Sequence, residues 1–323
     1  MDSVTIDGLD RELVHALQID GRAPFSRIAE VLDVSDQTVS RRYRRLRSHG
    51  VLRVVGRGDV SGPGRERWHM RIHCVPDAAL GVARALARRP DTAWTDVVSG
   101  GTEVNCVVQT PNRADRDALL LDALPRSPRV TSMSAHCLLH TYFGGAGEHA
   151  RVLAALSPAQ ERRLRPRPAT GAPLTPDTVD RAILAELGQD GRCELSRLAR
   201  AADCSESTAR RRLELLRDSG CVFYDLDLDT ALLGFTVTAR LWLRVAPSDL
   251  DAVGAALATH PEVGFAAATT GPHNLIAAVV CRDGAHLYEY VSKRLGGLTA
   301  IQHVETAPVI RPVKGSATPW DMP

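Results

Sequence analysis

The chain is 323 residues long, 44% hydrophobic and 24% charged, with a formal net charge of +2. That size suits two to four domains with real cores and excludes a disordered or uniformly basic chain, so any nucleic-acid surface must come from local clustering of charge. The seven cysteines form no Cys-x-x-Cys pair, no leader pattern opens the chain, and no apolar run approaches the roughly 20 residues that span a bilayer; reduced thiols, a cytoplasmic location and no membrane contact are expected.

After a polar lead-in over residues 1–8, Asp7 caps a helix that runs to about Gln18, with Leu9, Leu13 and Leu17 facing inward. Asp20-Gly21-Arg22-Ala23-Pro24 is turn chemistry. A short helix over 26–32 follows, and Asp33-Val34-Ser35 joins it to a third helix capped by Ser35 and closed by Gly50. The spacing is that of a helix-turn-helix, whose second helix enters the major groove of DNA. Val39, Tyr43 and Leu46 face inward, leaving Arg41, Arg42, Arg44, Arg45 and Arg47 as the outward face. A run of arginines is as often a solvated surface. Residues 53–60 read as a strand leading out of the reader as a hinge.

Residues 67–142 then spell strand, helix, strand, strand, helix, strand, with strands at 67–75, 92–99, 102–109 and 130–142 and helices at 76–88 and 113–123. Two helices over one face of such a sheet leave the other face to be covered by a partner subunit or a second copy. A linker over 143–175 is partly helical, its helical pattern running through 148–164 with Ser157-Pro158 as cap and first turn.

The reader then returns at a shift of 170. Asp10-Arg11 becomes Asp180-Arg181, Asp20-Gly21-Arg22 becomes Asp190-Gly191-Arg192, Ser35 becomes Ser205, Arg41-Arg42 becomes Arg211-Arg212 and Gly50 becomes Gly220. This is an internal duplication. A second strand-helix-strand-strand-helix-strand unit follows over 236–310, and 315–323 reads as a disordered tail. The expected division is 1–60 and 175–230 for the two readers, 61–143 and 231–314 for the sheet units, and 144–174 for the linker.

Residues 35–50 carry five arginines against one aspartate, whereas 205–220 carry four against Glu206, Glu214 and Asp218, so the first reader should grip phosphate harder. Double-stranded DNA is the expected partner. Gln37, Ser40 and Arg41 suit base edges, Arg42 and Arg45 suit phosphate, and Thr38 completes the set. Ser207, Thr208, Arg211 and Arg212 are the second set, with Glu206 at the groove end. His69 and His73 on one strand and His136 and His140 on another could bring four imidazoles together, but a solvated or interface face is the commoner arrangement, and no metal or cofactor is expected.

Leu9-Asp10-Arg11, Asp20-Gly21-Arg22, Ile28-Ala29 and the helix over 35–50 resemble the helix-turn-helix of the Lrp/AsnC (feast/famine) transcription regulators, and the sheet unit resembles their effector domain. The resemblance covers the chain twice over. It implies an α+β fold of two winged-type helix-turn-helix domains, each followed by a ferredoxin-like βαββαβ effector domain, in a nucleoid-associated regulator that is not an enzyme. It also implies a homo-oligomer built through effector domains, and a small-molecule effector, an amino acid or a related metabolite, near the loop between the second and third strands. The matching loops are Gly100-Gly101-Thr102-Glu103 and Gly271-Pro272-His273-Asn274. The family commonly has aspartate at the fourth position; here Glu103 and Asn274 offer a side-chain oxygen for an ammonium group. Two other readings are a ligand-independent DNA organiser and an enzyme like the sirohaem decarboxylases, which share the two-module architecture. That branch lacks the arginine-rich second helix, and Gly50-Val51-Leu52-Arg53-Val54-Val55-Gly56 does not show the basic and histidine pattern that follows it there.

Overall fold

The computed structural model describes residues 5–58, 66–109, 113–144, 148, 150–172, 174–316 and 319. The first reader comprises α1 (Gly8–Ile19), α2 (Phe25–Leu32), α3 (Asp36–Ser48) and β1 (Leu52–Gly58). The first sheet module is β2 (Arg67–Cys74), α4 (Ala79–Ala87), β3 (Thr92–Val98), β4 (Glu103–Gln109), α5 (Arg113–Asp117, widening into a π-helical turn over Ala118–Ala123) and β5 (Val130–Phe143). A linker helix, α6 (Pro158–Leu164), precedes the second reader: α7 (Thr178–Gln189), α8 (Leu195–Ala201), α9 (Glu206–Asp218) and β6 (Val222–Leu228). The second sheet module is β7 (Val237–Val245), α10 (Leu250–Leu257), β8 (Val263–Thr269), β9 (Leu275–Cys281), α11 (Gly284–Glu289, again widening over Tyr290–Leu295) and β10 (Ile301–Lys314).

The same local chemistry starts both readers. Asp7 accepts from the Asp10 amide while Asp10 accepts from the Asp7 amide, and Asp177 and Asp180 repeat this capping box. Ser35 and Ser205 cap α3 and α9 by accepting from the amides of Thr38 and Thr208. Gly50 and Gly220 end those helices at φ +71° and +72°, a region that glycine enters without strain. The helical pattern expected over 148–164 is realised as a helix only from Pro158, capped by Ser157 and Gln160, after a single 3₁₀ turn at Arg151–Leu153.

The chain divides into two compact units that cut across the repeat. One is Met1–Val60, Ala146–Glu148 and Leu153–Leu233; the other is Ser61–Gly145, His149–Val152 and Gly234–Pro323. In the first unit β1 pairs antiparallel with β6, from Leu52 opposite Leu228 to Gly58 opposite Val222. The strand expected to act as a hinge therefore joins the two readers instead, with Asp59 and Val60 outside the described residues. The joint is reciprocal. Arg22 donates to the Gly191 and Cys193 carbonyls at 2.6 and 2.9 Å, and Arg192 donates to those of Gly21 and Ala23 at 2.8 and 2.9 Å. Gly56 permits the close packing of β1 on α7, since a Cβ there would stand 2.6 Å from that of Leu187. α6 lies against α1 and α2; Gln160 donates to the Val31 carbonyl, and His15 Nδ1 accepts from the amides of Ala155 and Leu156.

The second unit is a closed barrel of eight strands in the order β10-β3-β4-β2-β5-β8-β9-β7. β5 pairs with β2 along its first half and β8 along its second, and β10 does the same with β7 and β3. Each long strand therefore belongs to both modules, and the sheet face expected to await a partner becomes the barrel interior. α4 and the α5 segment cover the outside of one half over Met70, Ile72, Val104, Cys106 and Val108. α10 and the α11 segment cover the other over Leu241, Leu243, Leu275, Ala277 and Val279. The start of the expected loose tail is pinned: Gly315 accepts from the Trp94 amide, Ser316 is buried and Pro319 bridges to Lys314. Residues 317, 318 and 320–323 lie outside the described residues.

Candidate DNA and effector interfaces

α3 buries Val39, Tyr43 and Leu46 and exposes Gln37, Arg41, Arg44 and Arg47, with Thr38 and Ser40 half-buried beside them. Arg41 has no partner among the described residues. Arg44 reaches back to Ser40, and Arg47 pairs with Asp190 of the second reader at 2.8 Å. Arg42 and Arg45, expected on the outward face, are turned inward. Arg42 binds Asp7 at 2.7 Å and Asp10 at 2.8 Å, and Arg45 binds Asp10, whose side chain is fully buried. A buried carboxylate demands cationic partners, and these two arginines meet that demand, tying the recognition helix to the start of α1. The Arg42 side-chain hydrogen bond is the main cause that holds Asp7 below the usual carboxylate range.

The second reader repeats the arrangement with one loss. Arg212 binds Asp177 at 2.7 Å and Asp180 at 3.4 Å, but Leu215 stands where Arg45 does and is exposed. Asp180 is left with a buried oxygen, Oδ1, that has no hydrogen-bond partner among the described residues. Ser207, Arg210 and Arg211 are exposed, Thr208 is half-buried, and Arg210 and Arg211 have no partner among the described residues. Glu206 and Glu214 share that surface.

The two effector loops are built differently. Gly100 and Gly101 turn at φ +74° and +93° with open space beside both, and Thr102 is exposed. Glu103 is buried and receives the Arg71 guanidinium at 2.7 Å. In the other loop Gly271 and Pro272 are exposed, His273 is half-buried, and Asn274 clamps Val245 by accepting from its amide and donating to its carbonyl. A Cβ on Gly271 would collide with His136 at 2.3 Å, which explains the glycine there. Both fourth-position side chains are thus engaged within the fold, which corrects the expectation that they offer a free oxygen to an ammonium group. The four imidazoles do not converge either. His69 lies opposite His136, but His73 faces Ser132 and His140 pairs across the other seam with Ala268. No group of three or more metal-ligating side chains occurs among the described residues.

The barrel interior holds a polar centre that the sequence pattern does not disclose. Arg71 binds Glu103 and also Glu305, the latter at 2.5 to 3.0 Å, and its guanidinium lies 3.8 Å from the centre of the Trp242 ring. Arg240 pairs with Asp96, whose carboxyl is pushed up by burial against the pull of that arginine. Burial is the main cause that lowers His69 to about 3, with the Arg240 charge next. At a shift of 171, position 71 corresponds to 242 and position 69 to 240, so equivalent sites of the two modules meet at the centre carrying different residues. Alternating polar residues on β2 and β7 were the available signal, but their partners are fixed only by barrel closure.

Paired helix-turn-helix domains with exposed arginines, in a chain that also carries ferredoxin-like sheets, are the parts of a DNA-binding transcription regulator. The AsnC-type helix-turn-helix domain model matches residues 6–47 and again 177–217, and the Lrp/AsnC ligand binding domain model matches 238–319. The chain belongs to the Lrp/AsnC family, in a form that carries its reader twice. An uncharacterized HTH-type transcriptional regulator of Pyrococcus abyssi is 29% identical over 132 residues, 41% of this chain and 84% of the relative. The HTH-type transcriptional regulator LrpA of Pyrococcus horikoshii is 24% identical over 139 residues, 43% of this chain and 99% of the relative. Among solved structures, the siroheme decarboxylase NirDL shares the fold across 97% of this chain and 94% of its own, at a TM-score of 0.61 and 12% identity. No helix among the described residues is long and apolar enough to cross a membrane.

Proposed function

We propose that the protein is a sequence-specific, non-enzymatic regulator in which one chain supplies both readers of a pseudo-palindromic site, working on the nucleoid in the cytoplasm. The observation that carries this reading is the pair of matched outward faces: Gln37, Ser40 and Arg41 on α3, and Ser207, Arg210 and Arg211 on α9, held in one unit by β1 and β6. Gln37, Arg41 and their counterparts Ser207 and Arg211 address base edges, with Thr38 and Thr208 beside them. Arg44 takes phosphate, while Arg42, Arg45 and Arg212 orient the helices. Selection of bound duplexes from a random library, followed by insertion of five or ten base pairs between half-sites, tests this. A half-turn insertion should abolish tight binding and a full turn should restore part of it; indifference to both, or no enriched sequence, would overturn the reading.

The effector reading is that a small metabolite, an amino acid or a relative, binds at the second loop, Gly271-Pro272-His273-Asn274. Its support is the ligand-binding family model over 238–319 and the exposure of Gly271 and Pro272. The loop Gly100-Gly101-Thr102-Glu103 serves as the weaker counterpart. Contacts there come from backbone amides and His273, since Glu103 and Asn274 are engaged. Such a ligand alters DNA affinity only by binding the DNA-competent form differently. A thermal-shift screen of amino acids, repeated with operator DNA present, tests both parts. Higher oligomers would form through the effector unit. The whole-chain likeness to NirDL favours a second reading, a tetrapyrrole enzyme; titration with an iron porphyrin, read by its visible absorbance, should show no saturable complex.

A further inference from the structure

We propose that residues 162–168, at the end of the linker helix, form a third DNA contact, an arginine-proline arm that grips the sugar-phosphate backbone alongside the two readers. The proposal rests on the DNA-binding reading above. The segment reads Arg162-Arg163-Leu164-Arg165-Pro166-Arg167-Pro168, four cations in six residues, with no carboxylate nearer in sequence than Glu161. All four arginines are exposed, and Arg162, Arg165 and Arg167 have no side-chain partner among the described residues. A cluster of unpaired guanidiniums repels itself, so its free energy improves when an anion of matching spacing binds.

The backbone of this arm is held although the side chains of Arg162, Arg165 and Arg167 are not. Leu164 is fully buried. Arg27 on α2 donates to the Arg163 carbonyl at 2.6 and 3.0 Å and to that of Arg165 at 3.2 Å, and Arg163 donates back to the Glu30 carbonyl. Downstream, the Gly171 amide donates to the Asp218 carbonyl at the end of α9 at 2.7 Å. The arm is thus strung between α2 of one reader, the helix that in this motif crosses the DNA backbone, and the recognition helix of the other. Beyond the helix end at Leu164, Pro166 and Pro168 restrict the backbone and remove amides that would otherwise need partners, so little chain entropy is lost on binding. Phosphate fits this chemistry: several cationic side chains in a row, with no aromatic side chain to stack on bases.

The test is a salt titration of DNA binding by the full chain. Each phosphate neutralised contributes about 0.9 to the slope of log affinity against log salt. R165A/R167A should lower that slope by about 2 and weaken binding roughly tenfold, equally on the operator and on unrelated duplex. R165K/R167K should keep the slope, and both variants should melt with the parent because neither exposed side chain has a hydrogen-bond or ion-pair partner among the described residues. An unchanged slope for R165A/R167A overturns the arm while leaving the readers standing, provided R41A still loses affinity. A loss confined to the operator also overturns it, since backbone contacts do not discriminate. A parent chain with no salt-dependent DNA affinity would overturn the arm and the readers together.

Discussion

The two readers share caps, turns and a buried acid at the same position, yet differ in how that acid is satisfied. In the first, Asp10 holds both Arg42 and Arg45; in the second, Asp180 holds Arg212 at 3.4 Å, and with Leu215 in place of Arg45 one oxygen has no partner among the described residues. α3 is therefore fixed from two points and α9 from one. The arginines of the third helix thus fall into two sets, those paired inward and those left on the surface, and a count of positive charge cannot separate them. Part of the first reader's excess of arginine, Arg45, serves to anchor its own helix.

Four sets of substitutions put this difference to the test. Asp10→Ala strips two guanidiniums of a buried partner and should lower stability by about 3–5 kcal/mol, as breaking a buried ion pair does. Asp180→Ala should cost clearly less, and equal losses in urea denaturation would erase the distinction. A comparable contrast lies in the barrel, where His69 of one module stands at the position that Arg240 occupies in the other. Held at about 3 when folded against 6.5 unfolded, His69 stays neutral in the native state while the unfolded chain takes up a proton below pH 6.5. Stability should accordingly fall as pH drops, by about 2 kcal/mol from this residue between pH 6.5 and 5, and His69→Asn should flatten that slope. A parent chain equally stable at pH 7 and 5 would contradict it.

Smaller effects discriminate between the reading faces. Arg41→Ala should weaken operator binding about tenfold and relax preference at one base pair, with Arg211→Ala costing less; anisotropy titrations that rank them the other way would make the second reader dominant. Leu215→Arg should give Asp180 the partner it lacks and stabilise the second reader by about 1 kcal/mol, discounted for the exposed position. No gain in melting temperature would mean that the orphaned oxygen is satisfied by other means.

Much of this was legible in the chain. The caps at Asp7 and Ser35, the return of Ser35 as Ser205, the glycine stops and the repeat itself rest on local chemistry, which spacing records; the Asp177 cap rests on the same chemistry and follows from the repeat. The inward turn of Arg42 was not, because its acid lies 32 residues upstream. Only the recurrence of the Asp10-to-Arg42 spacing as Asp180 to Arg212 hinted at it. β6 carries charges at Asp225 and Asp227 that mask its pairing, and no periodicity tells β5 and β10 to leave one sheet midway for another. The free effector oxygens were misread for the same reason. Glu103 and Asn274 look exposed in a loop until Arg71 and Val245 are brought beside them.

The stacking of Arg71 on Trp242 has a consequence for how such a chain arises. Those positions are equivalent, so in an assembly of two identical modules each would confront its own likeness: guanidinium against guanidinium, or indole against indole. Fusion removes that obligation of sameness, and the centre of the barrel has become a lock whose two sides no longer interchange. Either half produced separately and left to pair with itself would inherit a mismatched core, which makes the join between the modules a commitment that mutation cannot readily reverse.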